Sequence, residues 1–284
     1  MNINKPHLPK QARALLNGRA KVATYESTGG KVTAQFAAHN LSLIDYIPAG
    51  SLVHDNMAGS GTVARQILAA NPTKDIKIYA SDIDQPFLDS LSEDVKSKSW
   101  PIEISTENAN KLSFSDEQFT HSITNIGIFF TSDAGLDGAK EIYRTLKPGG
   151  VAVVNCWEKV SWLFPILSVH KALRGDTPFP APTINWSDGQ QLQKVMLEAG
   201  FKKENIKVEK SEAWETIPAN DLRNWSEKTW AYLGFLGPAV ESDEDRWDEA
   251  VDLFVKILKE QPGVKVSDGE VQVSASQWII VATK

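Results

Sequence analysis

Short apolar runs, each followed by a segment with helical spacing, recur through the first 160 residues of this 284-residue chain. They are Leu52–Asn56, Ile76–Ser81, Ile102–Ser105, Phe119–Gly127 and Val151–Trp157. A brief apolar run bounded by turn residues reads as a buried parallel strand, and the amphipathic stretch after it as the crossover helix. Leu146-Lys147-Pro148-Gly149-Gly150 supplies a helix stop before the fifth run. Five strands in βα alternation predict a doubly wound α/β sheet. Two later runs, Ile206–Glu209 and Glu270–Thr283, add further strands, the second entered through a turn at Ser267-Asp268-Gly269.

The intervening segments have a different pattern. Residues 1–46 read as a helical N-terminal cap in which Val32, Phe36, His39 and Leu43 share one face, and the cap is expected over the mouth of a site. Tyr25-Glu26-Ser27-Thr28-Gly29-Gly30 forms a polar step before that helix, suited to presenting a tyrosine hydroxyl. Segments 161–185, with a stiff stretch at Thr177–Pro182, and 213–264, read as helical from Trp214, look like lids on a single domain spanning 1–284. Residues 47–160 form its core, completed by 186–212 and 265–284; a helix is expected from an N-cap at Ser187 to Gly200. Of nine tryptophans, Trp247 and Trp278 read as core filler, whereas Trp157 and Trp162 follow the fifth strand's carboxyl end, where a substrate would lie.

The chemistry concentrates at Asp55-Asn56-Met57-Ala58-Gly59-Ser60-Gly61, where a strand enters a glycine turn that opens a helix. Such a turn lets backbone approach a nucleotide, and the helix start presents unpaired N–H groups. Asp82, closing the second strand, stands where a carboxylate accepts ribose hydroxyls. Gly59, Gly61 and Ala64 also satisfy the dinucleotide fingerprint, so the glycines do not separate NAD from S-adenosylmethionine. Asp55 favours the second, because a carboxylate there would repel a pyrophosphate but hold an ammonium group. Asn108-Ala109, after the third strand, offers an amide to an adenine edge, and Asn125 lines the end of the fourth. Tyr143 and Lys147 fit a Y-x-x-x-K spacing, but Pro148 marks the segment as the last turn of a helix.

Composition narrows the partners. A net charge of −6 and a pI near 5.5 provide no clustered cations for phosphate, so nucleic acid is not expected as a substrate. The one cysteine, Cys156, lies within the fifth strand and reads as a small buried hydrophobe. Scattered histidines have no metal-site spacing, and no run approaches membrane-spanning length, so a cytoplasmic protein without metal or membrane contact is expected.

Together the motifs at Tyr25–Gly30, His54–Gly61, Asp82, Asn108-Ala109, Leu146–Gly150 and Trp157–Trp162 resemble the class I S-adenosylmethionine-dependent methyltransferases. The resemblance is to the ubiquinone-biosynthesis-like branch, which includes fungal enzymes of secondary metabolism such as the gliotoxin thiomethyltransferase. It implies a seven-stranded Rossmann-like sheet whose last strand is antiparallel. It also implies that Tyr25 and Asn56 approach the methionine portion of the cofactor, Gly59 and Gly61 its backbone, and Asp82 with Ile83 the ribose and its surroundings. Asn108 and Ala109 would meet adenine, and Asn125 the sulfonium. The implied acceptor is a hydrophobic small molecule, bound by a monomer or homodimer and methylated in line at O, N or S. Positioning alone supplies much of such a reaction, and His39 and His170 are the candidate bases where one is needed. Two other readings are a cofactor-binding regulator without turnover and an NAD-dependent oxidoreductase.

Overall fold

The computed structural model describes residues 8–71, 75–180 and 184–284; the outer part of the Thr177–Pro182 stretch and the first seven residues lie outside them. The strands are β1 (Leu52–Asn56), β2 (Lys77–Asp82), β3 (Ile102–Thr106), β4 (Phe119–Thr124), β5 (Leu146–Val160), β6 (Ile206–Pro218), β7 (Val264–Ser267) and β8 (Glu270–Thr283). The helices are α1 (Lys10–Leu16), α2 (Arg19–Glu26), α3 (Gly29–Ser42), α4 (Thr62–Ala70), α5 (Gln85–Lys98) and α6 (Leu136–Thr145), then α7 (Leu163–Arg174), α8 (Gln190–Ala199), α9 (Leu222–Leu233), α10 (Ser242–Asp245) and α11 (Trp247–Leu258).

The sheet runs in the order β3-β2-β1-β4-β5-β8-β6, with β7 paired antiparallel to β8. The described residues therefore hold eight strands where seven were expected. The extra one arises because Ser267-Asp268-Gly269 closes a hairpin, with Val264–Ser267 folding back on Glu270–Val273. Pairs β1·β2, β1·β4, β2·β3 and β4·β5 are parallel, as the alternating pattern predicts. Register places Asn56 beside both Ser81 and Thr124, Asp82 beside Thr106, and Thr124 beside Val154, so the carboxyl ends of β1 to β4 stand level and β5 continues past them to Val160.

Three boundaries differ from the expectation, two through contacts between distant segments and one through local backbone. The fifth strand starts at Leu146, which pairs with Phe119 of β4, and it continues through Gly149 and Gly150, where Gly149 N–H donates to Lys284 O and Lys284 N–H to Gly150 O. Residues 214–218, expected helical, continue β6, and Gln272 Nε2 donates to Thr216 Oγ1. Helix α8 starts at Gln190, not after a Ser187 cap: Gly189 adopts φ +72°, and Asp188 Oδ1 accepts the Gln190 N–H.

The described residues divide into two compact units. One comprises 33–159, 184–212 and 276–284 and carries the parallel strands. Its two apolar layers lie on opposite faces of the sheet, one built around Val53, Ile67, Ile78, Leu91 and Ile123, the other around Phe119, Ile142, Val154, Met196 and Ile280. Cys156 is buried in the second layer with its Sγ toward Trp186 O, and burial pushes the thiol up to about 12, which leaves it inert as a nucleophile at neutral pH.

The other unit comprises 8–32, 160–180 and 213–275. Its aromatic residues form its own core: Trp162 is 2% exposed and edge-on to Trp225, and Trp247 is 2% exposed and stacks on Phe235. At its centre the Arg174 guanidinium donates to both oxygens of Asp243, to Gly234 O and to His170 Nδ1, beneath the rings of Phe235 and Trp230. A carbonyl only accepts, so His170 Nε2, 2.7 Å from Thr177 O, must carry the proton and Nδ1 must accept from Arg174. His170 has no nitrogen left for a base role, which corrects that expectation.

Candidate functional site

In an open parallel sheet, ligands bind outside the carboxyl ends of the strands where the chain's direction of winding reverses. Here the chain builds β1, β2 and β3 outward on one side and resumes with β4 on the other side of β1. The crevice therefore opens over the ends of β1 and β4, between the turn after Asn56 and the segment Asn125-Ile126-Gly127.

The first wall is a tight turn. Met57 (φ +57°), Gly59 (φ +54°) and Gly61 (φ +84°) all adopt left-handed backbone. At Gly61 a Cβ would lie 2.5 Å from Leu91 Cδ1, so this glycine lets the turn sit down on α5. At Gly59 a Cβ would meet nothing nearer than 3.9 Å, so there the demand is one of conformation. The close approach expected at both glycines is thus toward protein at Gly61, and the open space lies at Gly59.

The carboxylates brace this turn. Asp82 Oδ2 accepts the Gly59 N–H at 2.8 Å and Oδ1 the Asp84 N–H at 2.9 Å, so one side chain ties the end of β2 to the glycine turn and to the start of α5. It is half-buried, and an ionised carboxylate retains lone pairs beyond these two bonds. Burial holds its pKa above the ordinary range. Asp55 is 1% exposed and its Oδ2 accepts the Ala64 N–H at 2.9 Å. Direct contact with an ammonium group, expected from the sequence, is replaced here by support of the α4 start from beneath. Burial, with the charge of Asp82 adding to it, pushes the Asp55 carboxyl up to about 7.

Asn56 offers what Asp55 does not. Its Nδ2 donates to Thr124 Oγ1 at 3.0 Å, while Oδ1 is buried with no hydrogen-bond partner, an unsatisfied acceptor at the end of β1. Beyond β2, Ile83 is 67% exposed beside Asp82, an apolar surface onto which a flat ring can lie. After β3, Asn108 is exposed and its Oδ1 accepts the Asn110 N–H at 3.0 Å, an Asx turn that orients the amide next to Ala109. Glu107 N–H donates to Asp82 O at 3.0 Å and fixes this loop beside β2.

The second wall is formed differently from the expectation. Asn125, expected to line the crevice, has its side chain engaged within the protein: Nδ2 donates to Thr33 O at 3.0 Å and Oδ1 accepts from Asn155 and Asn40. Trp157 is half-buried against Phe36, with ring centroids 5.6 Å apart. Tyr25 packs its ring on Tyr232, 5.5 Å away, and together with Trp162 belongs to the other compact unit. His39 is half-buried on α3. Sequence reasoning misses Asn40, Asn155 and Gln277; the available signal is the single amide in each of the runs Val151–Trp157 and Ser274–Val281, Asn155 and Gln277.

Residues 53–150 match the family model for a methyltransferase domain. That span runs from β1 through the start of β5 and contains the crevice. The chain is also similar to the methyltransferase tpcH of Aspergillus fumigatus, 22% identical over 166 residues covering 55% of this chain and 58% of that one. It is 24% identical to the acetylaranotin bis-thiomethyltransferase of Aspergillus terreus, over 45% of this chain and 43% of the other. The chain thus matches about half the length of these curated relatives. Among solved structures, the Haemonchus contortus phosphoethanolamine N-methyltransferase 2, in complex with S-adenosyl-L-methionine, superposes with a TM-score of 0.57 at 18% identity, over 95% of this chain and 59% of that one. The chain therefore shares the fold of that structure. Among the described residues no helix is long and apolar enough to cross a membrane, and no group of metal-ligating side chains gathers.

The buried titratable groups of the domain make opposed pH contributions. His54 has Nε2 2.8 Å from Ser81 Oγ, stacks on Phe119 at 4.7 Å, and is lowered to about 3 by burial. Unfolded, it binds a proton below its ordinary value of 6.5, so its contribution is present above 6.5 and is lost as pH falls toward 3. Asp55, raised from 3.8 to about 7, does the reverse: its contribution is complete below 3.8 and is lost as pH rises to 7. Between pH 4 and 6.5 or so the two offset each other. Expected outcomes follow for denaturant unfolding as a function of pH. His54→Phe gains stability toward acid relative to the parent and Asp55→Asn loses it, each by on the order of 2–4 kcal/mol across the window.

Proposed function

We propose that the chain is an S-adenosylmethionine-dependent methyltransferase acting on an O, N or S atom of a hydrophobic small molecule. The observation that carries this reading is the Asp82 carboxylate, hydrogen-bonded to the glycine turn at the β1–β4 switch point within a span matching the methyltransferase-domain model.

The residues present suit such a cofactor. Asp82 would hold the ribose hydroxyls, with Ile83 and the Asn108-Ala109 loop on the adenine side, and the unsatisfied Asn56 Oδ1 would accept from the ammonium group. Asp55 would act at one remove: beneath the turn, its ionised form favours a cation above it and disfavours a diphosphate. This charge preference supports the sulfonium nucleoside over NAD. When bound, the cofactor supplies an electrophilic methyl group. The protein's part is to hold the acceptor atom about 3–3.5 Å from it and in line.

The acceptor class follows from charge and aromatic surface. The acidic chain favours no polyanion, the half-buried Trp157, backed by Phe36, offers aromatic surface, and one similar protein is named an acetylaranotin bis-thiomethyltransferase. We extend this to a secondary metabolite as acceptor, in the ubiquinone-biosynthesis-like branch, with the protein cytoplasmic and monomeric or dimeric.

Calorimetric titration with S-adenosylmethionine, S-adenosylhomocysteine and NAD tests the cofactor, and labelled-methyl transfer to a panel of thiols, phenols and amines tests the reaction. Binding without transfer to any acceptor would favour the regulator reading; a preference for NAD would overturn the proposal. Asp55 adds a pH signature. Because a cation favours its ionised form, S-adenosylmethionine affinity is expected to fall by several-fold as pH drops from about 7 to about 5.5, while Asp55→Asn flattens this dependence.

A further inference from the structure

Four amide side chains meet beneath the second wall of the crevice. They come from α3 (Asn40), the end of β4 (Asn125), β5 (Asn155) and β8 (Gln277). Asn40, Asn155 and Gln277 are each at most 1% exposed. Every oxygen and every nitrogen among them has a partner. Asn155 Oδ1 accepts the Ile126 N–H at 2.6 Å, and its Nδ2 donates to Asn125 Oδ1 at 2.9 Å and to Gln277 Oε1. Gln277 Nε2 donates to Asn40 Oδ1 at 2.9 Å and to Ser211 Oγ at 2.7 Å. Asn40 Nδ2 reaches Asn125 Oδ1 and Gln277 Oε1, both at 3.4 Å, and Asn125 Nδ2 completes the set on Thr33 O.

This closed cluster contains no charge and ends on a strained backbone. Ile126 has φ +56°, a conformation that a β-branched residue adopts only when its surroundings impose it. The imposed state is held by the short bond from its N–H to Asn155. Next to it, Gly127 leaves room for the first wall: a Cβ there would lie 2.8 Å from Met57 Sδ. The cluster thus sets where Asn125–Gly127 stands relative to the Met57–Gly59 turn, and both belong to one compact unit.

We propose that Asn40, Asn125, Asn155 and Gln277 are positioning residues that hold the Asn125–Gly127 wall in its left-handed form and so shape the part of the crevice receiving the methionine half of the adenosyl ligand. This rests on the cofactor reading above. Asp82 closes β2, with β1 between it and the cluster, and its hydrogen bonds go to Gly59 and Asp84 and to none of the four amides, so the nucleoside half of the ligand meets a separate set of side chains.

The test is calorimetric titration of the full chain and of Asn155→Leu and Gln277→Leu with two probes. S-adenosylhomocysteine carries the amino-acid portion; 5′-methylthioadenosine lacks it. Both variants are expected to bind methylthioadenosine within about twofold of the parent and S-adenosylhomocysteine about tenfold or more weakly, with Asn155→Leu the more affected. Equal loss of both probes would mark the cluster as merely structural, and unchanged binding of both would remove its role; either overturns the proposal. Hydrogen exchange at the Ile126 amide is read in parallel. It is expected to be slow in the parent and at least tenfold faster in folded Asn155→Leu, and equal exchange would overturn the proposal even if a variant binds nothing. Failure of the parent to bind either probe would instead defeat the cofactor reading, while the exchange arm still decides whether the cluster holds the wall.

Discussion

Asp82→Ala is expected to abolish measurable affinity for adenosyl ligands, with a loss of at least about 100-fold. The Asp82 carboxylate has two duties at once. It accepts the N–H groups of Gly59 and Asp84, which places the glycine turn, and its remaining lone pairs are those offered to a ribose. Each hydrogen bond to a charged acceptor contributes roughly 1.5–3 kcal/mol, so two ribose hydroxyls alone account for about 3–6 kcal/mol. Truncation removes these and also leaves two turn N–H groups unpaired. Asp82→Asn keeps one oxygen but loses the charge and the second acceptor, and is expected to lie between, about tenfold weaker than the parent. Calorimetry with S-adenosylhomocysteine, alongside circular dichroism to show retained fold, checks both. Undiminished binding in Asp82→Ala would remove this residue from the site.

The largest effect on stability is expected at the other compact unit, where Asp243→Ala should cost about 3–5 kcal/mol. The side chains of Arg174 and Asp243 are 0% and 1% exposed, with Arg174 Nη2 3.0 Å from Asp243 Oδ2. Removing the carboxylate leaves a guanidinium buried among Trp230 and Phe235 without a counter-charge. It also removes the acceptor for the Val240 N–H. The thermal midpoint is expected to fall by roughly 10 °C. Arg174→Met combined with Asp243→Leu should recover most of that loss, since replacing both charges by apolar groups of similar size leaves no unpaired charge. A double variant as unstable as Asp243→Ala would show that the neutral hydrogen bonds of Arg174 to Gly234 O and His170, and not its charge pairing, dominate the site.

Much of the domain was legible in the sequence because its signals are local. The five parallel strands follow from apolar runs, since a strand covered on both faces must be apolar at nearly every position. The crevice follows from residue types that local backbone demands: glycine where φ is positive at 59 and 61, and a carboxylate closing β2 beside the turn. The strand that begins at Leu146 was less legible, because Pro148 and Gly149 look like an ending until Lys284, far along the chain, pairs with Gly149 and Gly150.

What the sequence by itself determined was the class of fold, the position of the switch point and the identity of Asp82 as its principal carboxylate. Those features rest on periodicity and on single residues whose neighbours are close in the chain. Only the tertiary structure decided the duties of Asp55, Asn125 and His170. Asp55 and Asn125 appear from the sequence to face a ligand, yet α4 and the Asn40–Asn155–Gln277 cluster take up their polar atoms. The bond of His170 to Arg174 likewise depends on where α7 meets Asp243. Asn40 and Gln277 are 237 residues apart. A buried hydrogen bond belongs to whichever partner the packed chain delivers, and over such separations no pattern of neighbouring residues encodes that delivery.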